Sequence, residues 1–418
     1  MAKTIPSTVT FERPSDGTYH SDTGLVTTVA SGVARFDYDP TSLAYRGLLI
    51  EDQTTNLSRR SIDFTNWQLT NLLVAADDTV SPSGQQDADK LTATTRPTST
   101  ENSNVKRPDN QRITVTADSV YTFSVYAKAD THDVIVMRLA NFSGGLGPIE
   151  NFYAIFDLTN GLARTFAADG TDQARIVEYP NGWYRCEVVI TTGATIDEID
   201  PRVHFGNSYA TVLAYDAITY DATGQSIFLW GSQIETGSLS TSFMYTDVTE
   251  VVRETDTVYV DLTQTGIDYN NDKSSIIIEY SGRFDNTGTG FPSAWYISNV
   301  DDNDQKILLR AYEVGSSIAM SITTNGTSYI TPGESITYPN FGGKHAARFR
   351  TDDIQVARDG VIDLQLTGTV VIENPTTERN RLYIGGQRGI AHRLNGHVKS
   401  IKYYNKPLPN KRLIALST

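Results

Sequence analysis

One cysteine, four methionines, four tryptophans and six histidines are all that 418 residues contain of these types. The single cysteine, Cys186, excludes an intramolecular disulfide framework and any cysteine-rich metal site. It lies in the β-type run CEVVI and reads as a small buried hydrophobe. Long apolar runs are missing too. None approaches the ~18 residues of a membrane-spanning helix, and the opening MAKTIPSTVTF has no hydrophobic signal core, so neither membrane insertion nor a secretory route is expected. Basic residues are in deficit, with 35 Lys and Arg against 49 Asp and Glu and a formal net charge of -14. That balance lacks the basic footprint of non-specific nucleic-acid binding and suits a soluble particle surface that repels its neighbours. The helix formers Leu, Glu and Lys do not dominate, and no heptad run reports a coiled-coil stalk.

Catalytic constellations are also lacking. His20, His132, His204, His345, His392 and His397 are scattered, with no HExxH, and read as ordinary surface or supporting residues. There is no GxSxG elbow and no phosphate-binding GxxxxGK[ST] loop, and the glycines at 144, 145 and 147 read as a hairpin loop. Carboxylates are abundant, but glycoside hydrolysis needs two of them about 5–10 Å apart across a cleft, and sequence places no such pair. The expectation is a protein that is not an enzyme. A polysaccharide-degrading enzyme is the minor alternative, and the long parallel β-helix repeat that would favour it is absent.

What the chain does have is Thr, Ser, Asn, Asp, Gly and 22 Tyr, the vocabulary of strands and the turns between them. Residues 1–57 combine short apolar pieces with Gly, Asp and Pro turn signals. They read as an irregular opening segment that packs on the next domain, attaches to another component, or does both. Residues 58–248 carry repeated strand patterns, among them VYTFSVYA, where Tyr121, Phe123, Val125 and Ala127 fall on one face and Thr122, Ser124 and Tyr126 on the other. A charged connector, TEVVRETD, leads to a second strand-rich unit over 255–418. In its closing strand HVKSIKYY, Val398 and Ile401 break strict alternation, which admits a bulge or a twist. The predicted fold class is all-β, with tandem β-sandwich or jelly-roll domains behind a short irregular N-terminal docking segment.

Candidate site residues are few. Asp301, Asp302 and Asp304 of the run DDND supply oxygen ligands in a loop and are the Ca²⁺ candidates; the glycine and terminal glutamate of an EF-hand are missing, and an ordinary turn is the plainer reading. No other cofactor is implied. Trp183 and Trp230 lie in strong strand patterns and belong to a core, and Trp67 seals the start of the first domain. Trp295, with Tyr296 beside it and Tyr312 further on, is the candidate aromatic platform for a ligand.

Several of these stretches carry a family likeness. Gly17–Thr18–Tyr19, Asp22 to Val26, Arg35 to Pro40, Arg46 to Glu51, Thr55–Asn56–Leu57 and Ser61 to Trp67 together resemble the opening of many bacteriophage tail, fibre and other virion-associated proteins. The runs VYTFSVYAKA, NGWYR and FLWGSQIE make the next region look like a carbohydrate-binding-module-type jelly roll. Leu382–Gly385, Leu394–Val398, Tyr403–Tyr404 and Lys406–Leu408 make residues 255–418 resemble a concanavalin A-like or laminin G-like sandwich. The resemblance implies a virion structural protein, a tail fibre, tail tip or head or collar appendage, docked on other virion proteins through its opening segment. Glycan recognition on a host surface is a further implication, and a homotrimer is the favoured assembly. A capsid decoration or cement protein without sugar binding is the alternative. Fold likeness alone does not decide between them.

Overall fold

The computed structural model describes residues 4–95, 102–108, 111–142, 150–166, 173–211, 214–283, 292–299, 305–312, 317–331, 334–335, 340–368, 370–372, 378–386 and 393–418. They form two antiparallel β-sandwiches in tandem, as the alternation of apolar and polar residues predicts. Among them no helix is long and apolar enough to cross a membrane.

The first sandwich packs a six-stranded sheet against a seven-stranded one. In the six-stranded sheet the strand Val120–Ala129 is central, pairing with Trp183–Thr191 on one side and Ser226–Thr236 on the other. In the seven-stranded sheet, Val134–Phe142 lies between Glu150–Asp157 and Glu198–Phe205. Tyr121, Phe123, Val125 and Ala127 all enter the core between the sheets, with Met137, Phe156 and Cys186 against them. The other face of this strand is not the half-solvated surface that simple alternation suggests. Thr122, Ser124 and Tyr126 are buried as well, because the chain between residues 237 and 246 crosses behind them. Thr122 donates to the Gly237 carbonyl, and Arg185, which donates to Ser124, also reaches the Thr241 carbonyl. The Tyr126 ring stands edge-on to Trp230 and Phe243.

The second sandwich encloses Trp295, Ile276, Phe349, Met320 and Val356. The closing strand Gly396–Tyr404 contains the expected bulge: Glu279 faces Ser400 while Tyr280 faces Val398, so Lys399 is skipped. Gly368 and the stretch Val370–Ile372 lie outside any strand. The ladder is taken instead by Val361–Thr367, which returns on Asp353–Arg358. The turn between them is Asp359–Gly360, with φ of 48° and 79°, the double positive φ of a type I′ hairpin. Val370 and Ile372 still fill the core. The terminal helix Asn410–Leu416 lays Leu413 on Ile277, Ala346 and Ala357, on the back of the sheet rather than over the end of the core.

Residues 4–57 contribute strands to this second sandwich, across well over two hundred intervening residues. Val9–Glu12 pairs with Thr257–Asp261, and Tyr45–Ile50 pairs with the closing strand at Gly396–Val398. Gly47 permits the second contact: its φ is +133°, and a Cβ there would meet the Val398 carbonyl oxygen at 2.6 Å. A third piece, Thr54–Asn56, pairs with Val251–Arg253 of the connector. The Asn56 side chain is fully buried; its amide donates to the carbonyls of Ser232 and Met244 and accepts from the backbone of Ser58 and Ile234.

Where opening segment, connector and first sandwich meet, charge is buried. Arg35, with no exposed surface, donates to Glu51 at 2.7 Å, to the Ser242 hydroxyl, to the Thr18 carbonyl and to Asp256. Arg13 reaches Asp256 at 3.3 Å, and Arg253 lies 3.6 Å from Glu51. Burial alone would raise the Glu51 carboxyl, but the charges of Arg253 and Arg35 and the hydrogen bonds from Ser242 outweigh it and hold it at about 2. Removing one member strands the others without water. Asp256→Asn should therefore cost about 3–5 kcal/mol in urea unfolding. Glu250→Gln, which breaks the exposed pair with Arg59, should cost no more than about 1 kcal/mol. Equal costs would show that the buried network does not hold the junction.

Candidate functional site

The junction that buries these charges also leaves an open cleft of about 920 Å³ between the sandwiches. Three sources line it. The opening segment supplies Thr18, Tyr19, His20, Asp37, Tyr45 and Arg46. The first sandwich brings Tyr126, Tyr179, Arg185 and Ser240 to Ser242, and the second brings Ser281, Arg358, Asn395, His397 and Lys399.

At its centre is a carboxylate held between two imidazoles. The hairpin strand Gly17–His20 presents His20, the short strand Phe36–Tyr38 presents Asp37, and the closing strand presents His397. Asp37 accepts from the His20 backbone N–H at 2.6 Å and lies 3.1 Å from His20 Nδ1 and 2.8 Å from His397 Nε2. A carboxylate only accepts, so both of those ring nitrogens carry hydrogen. In a neutral His20 the remaining nitrogen, Nε2, then accepts from the Tyr179 hydroxyl at 3.0 Å, and Tyr179 receives the Tyr126 hydroxyl at 3.4 Å. A chain of polar contacts thus runs from the first sandwich through the opening segment to the second. Burial pushes the Tyr179 and Tyr126 phenols upward, which keeps them neutral donors. Burial works to raise the Asp37 carboxyl, but the hydrogen bonds from His20 and His397, with their charges, hold it well below its ordinary 3.8.

The mouth of the cleft is more accessible. Arg46 is about a third exposed, donates to Asp39 at 2.7 Å and approaches Asp37 at 3.9 Å. Tyr45 packs on Tyr38 at 5.4 Å between ring centroids, and Lys399 pairs with Glu279 at 3.0 Å. The cleft carboxylates are committed: Asp37 to two histidines, Glu51 to Arg35 and Ser242, and Glu187 to the Ser240 hydroxyl and to Arg175 at 3.8 Å.

The residues singled out from sequence do not meet here. Trp295 is the correction of most consequence. It has no exposed surface and sits between the sheets of the second sandwich, paired with Leu309 and Ile384, where no ligand can stack on it. Tyr296 points to the opposite face of its sheet but is 2 % exposed, packed with Leu308 and Tyr383. Alternation in this strand carried no information about exposure because both faces are covered. Tyr312 ends its strand opposite Ser317, and its side chain lies outside the described residues. Asp301, Asp302 and Asp304 also lie outside them, as does His392. Among the described residues no group of three His, Cys, Asp or Glu side chains is placed to hold a metal ion. Trp183, Trp230 and Cys186 are buried as expected, and Trp67, 5 % exposed, packs on Phe64 at the start of the first sandwich. The His20–Asp37–His397 cluster was not readable from spacing, since its members are 17 and 360 residues apart.

No protein-family model matches the chain, and no curated protein matches it. Solved structures do. The Ruminococcus gnavus IT-sialidase CBM40 bound to α2,6 sialyllactose is 15% identical, with 38% of this chain and 91% of that one covered at a TM-score of 0.30. Domains LG4-5 of the mouse laminin α1 chain are 11% identical, covering 76% of this chain and 92% of that one at 0.25. The Trypanosoma rangeli sialidase in complex with the inhibitor DANA is 10% identical, covering 79% and 60% at 0.29. Likeness at this level places no ligand, residue or activity on this chain.

The Asp37 cluster has a pH signature. Because folding lowers its pKa, Asp37 stabilises the fold above its ordinary value of 3.8, and that stabilisation drains away as the pH falls below it. Asp37→Asn should lower the urea midpoint at pH 7, with the gap from the parent narrowing below about pH 4. A gap of the same size at pH 7 and pH 3 would show that the ionised carboxylate is not what the histidines hold.

Proposed function

We propose that this chain is a non-enzymatic structural protein of a bacteriophage particle, a tail fibre, tail tip or head or collar appendage, that recognises a host surface glycan in the cleft between its sandwiches. The observation that carries the glycan half is the cleft itself. Its volume of about 920 Å³ falls within the ~300–1,000 Å³ typical of ligand sites. Its walls offer tyrosines, hydroxyls, imidazoles and guanidinium groups, which hydrogen-bond sugar hydroxyls and cover ring faces. The particle half rests on the likeness of residues 10–67 to virion-associated proteins, and the stretches that carry it, Arg35 to Pro40 and Arg46 to Glu51, build the junction. A non-catalytic reading is supported by the state of the cleft carboxylates. Glycoside hydrolysis needs a protonated acid opposite a free carboxylate, whereas Asp37 and Glu51 are both held ionised by their partners.

A decoration role without sugar binding is favoured by a different feature. Leu73, 65% exposed, and Val361, 53% exposed, lie on the edge strands Leu72–Val80 and Val361–Thr367, where another chain could pair. The proposed assembly is a homotrimer, with the virion as its location and other virion proteins as its partners.

Antibodies against the full chain should label intact particles in electron microscopy, and the purified chain should retain a host glycan on an array. Arg46→Ala should weaken that retention at least ~10-fold, the scale of about 1.4 kcal/mol, with an unchanged melting temperature. Light scattering should give three chain masses. Unlabelled particles would overturn the virion reading. Glycan retention untouched by Arg46→Ala, or no retention at all, would overturn the cleft as its site, and labelled particles without retention would favour decoration.

A further inference from the structure

Among the described residues, each Arg, Lys, Asp and Glu side chain that lines the cleft stands beside one of opposite sign. Arg46 donates to Asp39 at 2.7 Å and lies 3.9 Å from Asp37. Lys399 pairs with Glu279 at 3.0 Å, and Arg358 with Asp359 at 3.2 Å and Asp363 at 3.7 Å. Deeper in, Arg185 is 4.0 Å from Glu187, and Glu51 is held by Arg35 and Arg253.

The counter-charges are as open to a ligand as the cations. The Asp39 side chain is 30% exposed beside Arg46 at 37%, and Glu279 is 35% exposed beside Lys399 at 50%. A carboxylate or sulfate arriving on a ligand gains one of these cations only by displacing the carboxylate already there. One exposed ion pair then replaces another, and such pairs return little. The displaced carboxylate is left beside a like charge. The formal net charge of -14 also repels an anion on its way in.

What the cleft offers beyond paired ions is neutral. Thr18, Ser281, Asn395 and the run Ser240 to Ser242 bring hydroxyls and an amide to the lining. Glycines make part of the wall bare backbone, and at Gly342 and Gly396 a Cβ would collide with the carbonyls of Tyr280 and Ser281. Tyr45 is half-buried on the lining, its ring tilted 59° to Tyr38 at 5.4 Å between centroids. Val177, 40% exposed, adds apolar surface.

Taking the cleft as the glycan site, the reading on which this rests, we infer that the glycan is uncharged. It is a neutral saccharide without carboxylate, sulfate or phosphate, and Tyr45 is the platform that covers the apolar face of one of its rings. Sugar hydroxyls donate and accept, so they bond to paired ions without breaking the pairs. The bond from Arg46 to Asp39 leaves through one terminal nitrogen, and a guanidinium fork carries five N–H groups. A tyrosine supplies a large apolar contact at the entropy cost of only two torsions.

An array that prints neutral oligosaccharides beside their sialylated, uronic-acid and sulfated counterparts, probed with the full chain, tests this. The retained glycans are neutral, each held at least ~10-fold more tightly than its acidic counterpart. Retention is the same at about 0.05 M and about 0.5 M NaCl. Tyr45→Ala loses at least ~10-fold, and Tyr45→Phe, which keeps the ring, holds the parent affinity. The acidic and neutral glycans are compared on the parent chain, so that outcome stands whether or not Tyr45→Ala folds. Preference for the acidic counterparts, or retention that falls steeply with NaCl, would overturn the neutral class, while sensitivity to Arg46→Ala would keep the cleft as the glycan site. Retention untouched by Tyr45→Ala would remove the platform. Silence across the whole array would overturn the glycan reading and the neutral class together.

Discussion

Three buried arginines and two buried carboxylates decide how the halves of this molecule sit together. Arg35 holds Glu51 and Asp256 at once, Arg13 holds Asp256 from the other side, and the Glu51 carboxylate takes Ser242 of the chain leaving the first sandwich. Such a network is poor as a source of stability, because desolvation consumes most of what attraction returns. Its strength is selectivity. A greasy contact tolerates sliding, whereas displaced buried charges lose every partner together. The Asp256 backbone N–H donates to the Glu51 carbonyl, and the Glu51 backbone N–H to the Asp256 carboxylate, which fixes the same register.

The cleft follows from that lock. Its Asp37 cluster draws one group from each body and two from the segment between them, so it exists only while the junction is seated. The walls of the cleft are preformed, because Arg13, Arg35 and Asn56 fix the chain segments that build them. Preorganisation of this kind spares a ligand the ordering cost that mobile domains would impose.

Much of the architecture was legible in the sequence, and the reasons are local. The inward face of Val120–Ala129, the bulge near Lys399 and the burial of Cys186, Trp183 and Trp230 all come from alternation and residue chemistry. Exposure was not legible. Trp295 and Tyr296 sit in a strand covered on both sides, and period-two patterning vanishes when both faces are dry. The partners of the opening segment were hidden for another reason. Strand pairing leaves no mark at a distance, so nothing in Tyr45–Ile50 names Gly396–Val398 as its neighbour. The sequence does carry one sign of that packing: Arg35 and Asp37 alternate with Phe36 and Tyr38, and Glu51 follows Leu49–Ile50, a density of charge within apolar runs that suits buried ion pairs better than a solvated tail.

The pairing of Val9–Glu12 with Thr257–Asp261, and of Tyr45–Ile50 with Gly396–Val398, also sets a timetable. On the ribosome the first fifty residues emerge early, yet their partners appear only after more than two hundred further residues have been joined. Until then these short strands have no ladder partner, whereas the first sandwich, whose strands all lie between residues 68 and 236, has all of its strands synthesised before those partners appear. Closure of the second sandwich is a late, long-range event of high contact order. A nascent chain that stalled before residue 396 would keep the Tyr45–Ile50 edge open to the same edge of a neighbour on the polysome, and the gap between the birth of a strand and of its partner is where this protein is most exposed to misassembly.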